Sequence, residues 1–204
     1  MHVGGKEIIA ILTGASFAAG LNVYATLATL GLLARADVLT LPPSLHIVES
    51  WWVIAISIVL FCIEFLGDKI PGFDLIWNAL HTFIRVPIAA LLAYGATAQL
   101  SPLQQGAAAA LGGLVALAAH GGKTAARALV TPSPEPASNI GLSLIEDIAA
   151  VFLTWFATQH PYATAAIVAV LVVMVVLAIR FVWRCLRKLF SGAEARVAHQ
   201  GTAG

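Results

Sequence analysis

The chain has 204 residues, of which 60% are apolar and only 10% charged, with a formal net charge of +1 and a mean hydropathy of +0.91. A soluble domain carries about 45–50% apolar and roughly 25% charged residues, so this chain has too few charges to cover a water-facing surface. A soluble enzyme and a disordered chain are excluded, and the near-zero net charge excludes a nucleic-acid binder. Cys62 and Cys185 share no short spacing, which gives no basis for a disulfide framework or a redox motif, and nothing calls for a metal or another cofactor. What remains is an all-α integral membrane protein with membrane lipids as its first partners.

A helix needs about 20 mostly apolar residues to cross the hydrocarbon core. Residues 8–34 contain no charge and read as one uncleaved first helix, because their apolarity runs far past the roughly 7–15 residues of a signal-peptide core. Further spans are expected over 47–66, 75–98, 103–129, 139–158 and 162–179. Their ends carry turn chemistry at Pro42-Pro43, Pro71-Gly72, Ser101-Pro102, residues 131–136 and His160-Pro161. The whole forms one transmembrane domain, 1–190, with a flexible cytoplasmic tail at 191–204. Trp51, Trp52, Trp155 and Tyr162 read as interfacial anchors, and the small residues 106–113 as a close-packing face.

Orientation follows from lysine and arginine near the span ends. Arg180, Arg184, Arg187 and Lys188 follow the last span, so the C-terminus is expected in the cytoplasm, held at an anionic leaflet. Six spans then put the N-terminus, with Lys6, on the same side. Lys69, Lys123 and Arg127 fall there too.

Ionisable groups at membrane depth are costly and usually face a bundle interior. Here they gather in two hairpins. The first holds Glu64, Asp68, Lys69 and Asp74 and leads into a helix with Asn78, His81 and Arg85. The second holds His120, Lys123 and Arg127 and leads through Asn139 into Ser143, Glu146 and Asp147. Steps of three and four put Asp74, Asn78, His81 and Arg85 on one helical stripe, and His120, Lys123 and Arg127 on another. Asn22, Thr26 and Thr29 form a quieter stripe in the first span. These faces are expected to converge on a polar cavity open to the cytoplasm. Both hairpins carry a Gly-x-Lys step, at 67–69 and 121–123, which suggests a pseudo-two-fold pair of hairpins within a compact six-helix bundle.

Three segments together resemble a family of small bacterial inner-membrane proteins known only as a domain of unknown function. They are Gly20-Leu-Asn22-x-Tyr24, Gly-Asp-Lys-Ile-Pro with Asp74, and Ser-Pro-Glu-Pro with Asn139 and Glu146-Asp147. The resemblance covers roughly residues 8–190. It implies a compact helical bundle in the bacterial inner membrane and no established activity.

The chemistry of the residues points first to a small carrier or permease for an ion or small polar solute, proton-linked through its carboxylates. In that reading Arg85, Lys123 and Arg127 hold anionic groups, and helix starts at Asp74 and Asn139 present positive dipole ends to a bound anion. The bland alternative for Arg85 is an ion pair with Glu146 or Asp147. A membrane-embedded enzyme acting on a lipid phosphate, with His81, His120 and the carboxylates as a metal site or an acid–base pair, is the second class. A non-catalytic assembly or lipid-binding factor, with homo-oligomerisation left open, is the third.

Overall fold

The computed structural model describes residues 5–67, 73–130 and 136–201. The order is α1 (Gly5–Leu21), α2 (Val23–Arg35), a short 3-10 helix (Pro43–Glu49), α3 (Trp51–Gly67), α4 (Phe73–Ala96), α5 (Pro102–Val130), α6 (Pro136–Gln159) and α7 (Pro161–Gly201). Proline opens α5, α6 and α7, at the position where its missing N–H costs nothing. Helices α4 to α7 are each long and apolar enough to cross a membrane, and α3 with the 3-10 helix before it, bent by 58°, makes a fifth candidate. The protein is a multi-pass helical membrane protein.

The expected first span is where sequence and structure part. It is two helices of 17 and 13 residues, broken at Asn22, whose backbone is extended at φ −151° and ψ 105°. The Asn22 side-chain oxygen accepts from the Ala25 backbone N–H at 3.0 Å and so caps α2. The chain then folds back. Ile8, Ile11, Leu12 and Ala15 of α1 line one cavity with Leu30 of α2, residues 39–43, and Leu92 and Ala96 of α4. Leu12 and Leu30 pack into the same apolar cluster. A single straight helix would hold those two leucines about 27 Å apart at 1.5 Å per residue. Residues 8–34 are therefore a re-entrant hairpin with its tip at Asn22.

That hairpin changes the parity of the chain. Glu7 sits beside the α6–α7 turn, sharing a cavity with Gln159, His160 and Pro161. From that end α7 runs past Gly14, which faces Thr164, to Gly122, which faces Val175. The start of α1 and the far end of α7 thus lie at opposite ends of the bundle. In place of six spans the described residues give a hairpin and four helices long enough to cross, or five if the bent 3-10–α3 pair is one span, because an uncharged run satisfies hydropathy whether it crosses or returns.

Helix α1 is the hub, packed against α4, α5, α6 and α7, while α2 packs mainly on α3 and α6. At Gly20 a Cβ would collide with the Ala116 carbonyl oxygen and lie 2.7 Å from the Ala119 Cβ. Backbone meets backbone there, and only glycine fits. Gly112 admits Ala93 and Ser16 in the same way, whereas Gly106 faces open space, so the close-packing face stops short of 106. The two Gly-x-Lys steps fall in different settings. Gly67 ends α3, while Gly121, Gly122 and Lys123 lie inside the continuous α5.

Candidate functional site

The hairpin tip lies beside the ionisable residues. Arg85 is about 9 Å inside the Ala79 edge of the α4 crossing segment, and Asp147 about 10 Å inside the Ile140 edge of that in α6. At such depth a charge must find a partner. Arg85 and Glu64 are both fully buried, and the Arg85 guanidinium pairs through Nη2 with Glu64 Oε1. Lys123 bridges two carboxylates, 3.6 Å from Glu64 Oε1 and 3.4 Å from Glu146 Oε2. The expected partner of Arg85 was Glu146 or Asp147; α3 supplies it instead, because Asp147 is taken up by the hairpin tip.

The broken helix arranges these charges by sign. The last carbonyls of α1 have no helical donor beyond them, and cations fill that role. Arg85 Nη1 donates to Gly20 O at 3.4 Å and Lys123 Nζ to Leu21 O at 3.1 Å. At the start of α2 the sign reverses, and Asn22 Nδ2 donates to Asp147 Oδ1 at 2.9 Å. Cations at a helix C-terminus and an anion at an N-terminus are each worth about 0.3–1 kcal/mol, rising to about 2 kcal/mol when partly buried. Asn22 thus caps α2 with its oxygen and orients Asp147 with its nitrogen.

The two histidines complete the wall. Arginine has only donors, so His120 Nδ1 accepts from Arg85 Nη1 at 2.8 Å. The proton then sits on Nε2, which donates to Thr82 Oγ1 at 2.7 Å. His81 Nδ1 donates to the Trp77 carbonyl at 2.8 Å, leaving Nε2 to accept from the Tyr24 hydroxyl at 3.3 Å. Both ring nitrogens of each histidine are engaged. Among the described residues no three histidine, cysteine or acidic side chains converge as a metal site would require.

The structure brings together Asn22, Glu64, His81, Arg85, His120, Lys123, Ser143, Glu146 and Asp147, all buried. Asp68 and Lys69 lie outside the described residues; Asp74, Asn78, Arg127 and Asn139 lie on α4, α4, α5 and α6, but their side chains lie outside them. The Gly-Asp-Lys-Ile-Pro and Ser-Pro-Glu-Pro motifs also fall there, except for Gly67 and Pro136. Among the described residues, Arg85 and Lys123 each reach both a carboxylate and a carbonyl. Helix α4 starts at Phe73, one residue before Asp74, and α6 at Pro136, three before Asn139, and the break at Asn22 adds a further pair of helix ends.

Tyr24, Trp77 and Thr82 were not singled out from the sequence as site residues. Trp77 precedes His81 by one helical turn, a spacing that could have marked it. Within the cluster, Glu64 Oε2, Arg85 Nε and Ser143 Oγ have no hydrogen-bond partner among the described residues. Most buried polar atoms are paired, and exceptions ask for an explanation.

Comparison with curated proteins and with solved structures gives no match. The model of one family does match, over residues 9–181. That stretch holds nearly all of the hairpin, the charge cluster and about half of α7, and the chain belongs to this family, described as a domain of unknown function, DUF4126.

Proposed function

We propose that the protein is a small proton-linked carrier or permease for an ion or small polar solute, working in the bacterial inner membrane. One observation carries this reading: a membrane-embedded helix is broken at Asn22, and its two exposed ends meet a buried set of acids and bases. Discontinuous helices with polar ends at mid-depth are the usual way a transporter builds an ion site. The cationic residues Arg180, Arg184 and Arg187 follow α7 out of the cluster end, so that end faces the cytoplasm. The C-terminus is then cytoplasmic and the start of α1 is on the opposite side.

Glu64 is the group whose protonation does most. Its Oε1 is shared by Arg85 and Lys123, and the same two cations hold the carbonyls of the α1 end. A proton on Glu64 removes the carboxylate charge that holds Arg85 and one of the two that hold Lys123, which weakens the grip on the tip while Glu146 and Asp147 keep theirs. On the far side a cleft of about 240 Å³ opens between α1, α4 and α5, with Thr13, Ser16, Thr97 and Gln104 in its lining. Gly112 lines that cleft, and Gly20, whose carbonyl accepts from Arg85, packs against Ala116 one helical turn further along α5.

The test is charge movement in proteoliposomes on a solid-supported membrane after a pH jump. Wild type should give a transient current, which Glu64→Gln and Asp147→Asn abolish while still eluting as folded protein. A folded, oriented wild type that passes no current would overturn the electrogenic proton-coupled reading.

A further inference from the structure

Helix α7 is the barest of the long crossing helices: 11% of its crossing segment is buried, against 22–39% in α4, α5 and α6. Its inward side is marked by Thr164 and Val168, both buried, and by Val175, which meets Gly122. Arg180 lies about 140° round the helix from Val175 and so faces away from the bundle. Arg184 and Arg187 follow it by steps of four and three, which keeps all three arginines within about 60° of one another. All three are exposed, and none has a hydrogen bond or ion pair with another described residue. On the same face, in the turns before Arg180, Val173, Val176 and Leu177 are exposed too.

This face turns from apolar to cationic where the hydrocarbon ends. The crossing segment closes at Phe181, so Arg180 stands at its edge. Arg184 and Arg187 lie about 6 and 10 Å further along the axis, and a headgroup layer is about 5–7 Å deep on each side of a bilayer. Lipid phosphates are therefore level with Arg180 and Arg184, with Arg187 at the outer rim. Trp183 is exposed between them, at the depth where indole rings settle. A guanidinium has donors only and matches a phosphate through two parallel N–H bonds. A second copy of the chain does not suit this face, because a two-fold contact through it would set arginine against arginine. A soluble anion would meet the arginines and leave the apolar half bare. The occupant that meets both halves is a phospholipid with a net negative charge.

We propose that the outward face of α7 is a binding site for an anionic phospholipid, its phosphate held by Arg180 and Arg184 and an acyl chain laid along Val173, Val176 and Leu177. Arg187 adds its charge from the rim. A basic tail held at the surface by field alone needs charge and no particular face. Here the three cations share a face with the apolar lane that leads to them, so position counts as well as charge. The site needs only that α7 cross the membrane, and it stands apart from the carrier reading.

The probe is phosphatidylglycerol, titrated unbrominated into vesicles of brominated phosphatidylcholine that hold the full-length protein. Bromine quenches tryptophan, and the signal of Trp183 is read as the difference from Trp183→Phe. Wild type should favour the anionic lipid at Trp183 by about tenfold or more, and Arg180→Gln or Arg184→Gln should each cut that preference about fivefold. Replacing all three arginines by glutamine should abolish it; the side chains are exposed, so the variant is expected to elute as folded protein. Arg180→Gln combined with Ile179→Arg keeps the net charge but moves it about 100° round the helix, and should stay as low as Arg180→Gln alone. Arg35→Gln, at an exposed arginine near the other end of the bundle, should change nothing. Equal affinity for the two lipids in wild type, an unchanged preference in the folded triple variant, or recovery in the moved-charge variant would each overturn the proposal. Competition by millimolar inorganic phosphate would assign the arginines to a soluble anion instead. A Trp183 shielded from both lipids alike would mean that protein covers the face, and would overturn the proposal too.

Discussion

At its tip the α1–α2 hairpin meets Arg85, Lys123 and Asp147; at its open end it meets Leu41, Leu45, Leu92 and Ala96. The tip is held by directional bonds to charged side chains. The open end is held by apolar contact. In a membrane, apolar packing between helices gains little from leaving lipid and depends on shape, whereas a polar tip in hydrocarbon has no alternative partner outside the protein. One end of the hairpin can therefore be switched while the other stays as a hinge.

The largest break in this comparison should come from Arg85→Leu. Removing one partner of a buried pair leaves the other charge uncompensated, a loss of about 3–5 kcal/mol. Unfolding of the protein in micelles, followed by circular dichroism, would show it. Adding Glu64→Leu should recover part of the loss; a double variant as unstable as the sum of the singles would mean the two side chains are not coupled. At the open end, Leu92→Ala should cost about 2 kcal/mol, the low end for a buried leucine, because Leu92 borders a cavity and already lacks neighbours on one side. Leu92→Ala should also leave the pH-jump current in place, and its loss would show that the open end is no passive hinge. The smallest effect, about 1–2 kcal/mol, is expected for Asn22→Ala, which removes the cap on α2. Asn22→Asp should restore the cap but set a second carboxylate against Asp147. If Asn22→Ala unfolds like wild type, the break is held by the arms and not by the capping residue.

Much of the molecule was readable from residue order. The later spans come from apolar runs with few charges, bounded by proline turns, and α4 to α7 follow them. The inward faces of α4, α5 and α6 were legible for a sharper reason: His81 and Arg85, His120 and Lys123, and Ser143 and Glu146 are each one helical turn apart, and burying one buries the next. The hairpin was not legible. Residues 8–34 carry no charge, glycine–proline pair or other turn signal at the break, and hydropathy cannot distinguish a crossing from a return. Asn22 looked like one more polar residue on a stripe. Its capping role needs a helix that begins at Val23, which only the partners of the broken end make favourable. The mate of Arg85 was hidden for a related reason. Glu64, Glu146 and Asp147 are equal candidates by type, and only the fold shows Asn22 engaging Asp147, Lys123 reaching Glu146 and Arg85 meeting Glu64.

The break at Asn22 also fixes an order of events during synthesis. The carbonyls freed at Gly20 and Leu21 find their donors in Arg85 and Lys123, which follow them by 65 and 102 residues. Until α4 and α5 have been made, a bent hairpin would leave bare backbone acceptors in hydrocarbon, at several kcal/mol each. The nascent segment has a less costly course as one unbroken helix across the membrane. A segment that enters the bilayer before α4 and α5 therefore takes its final path only after them, drawn there by the donors they carry.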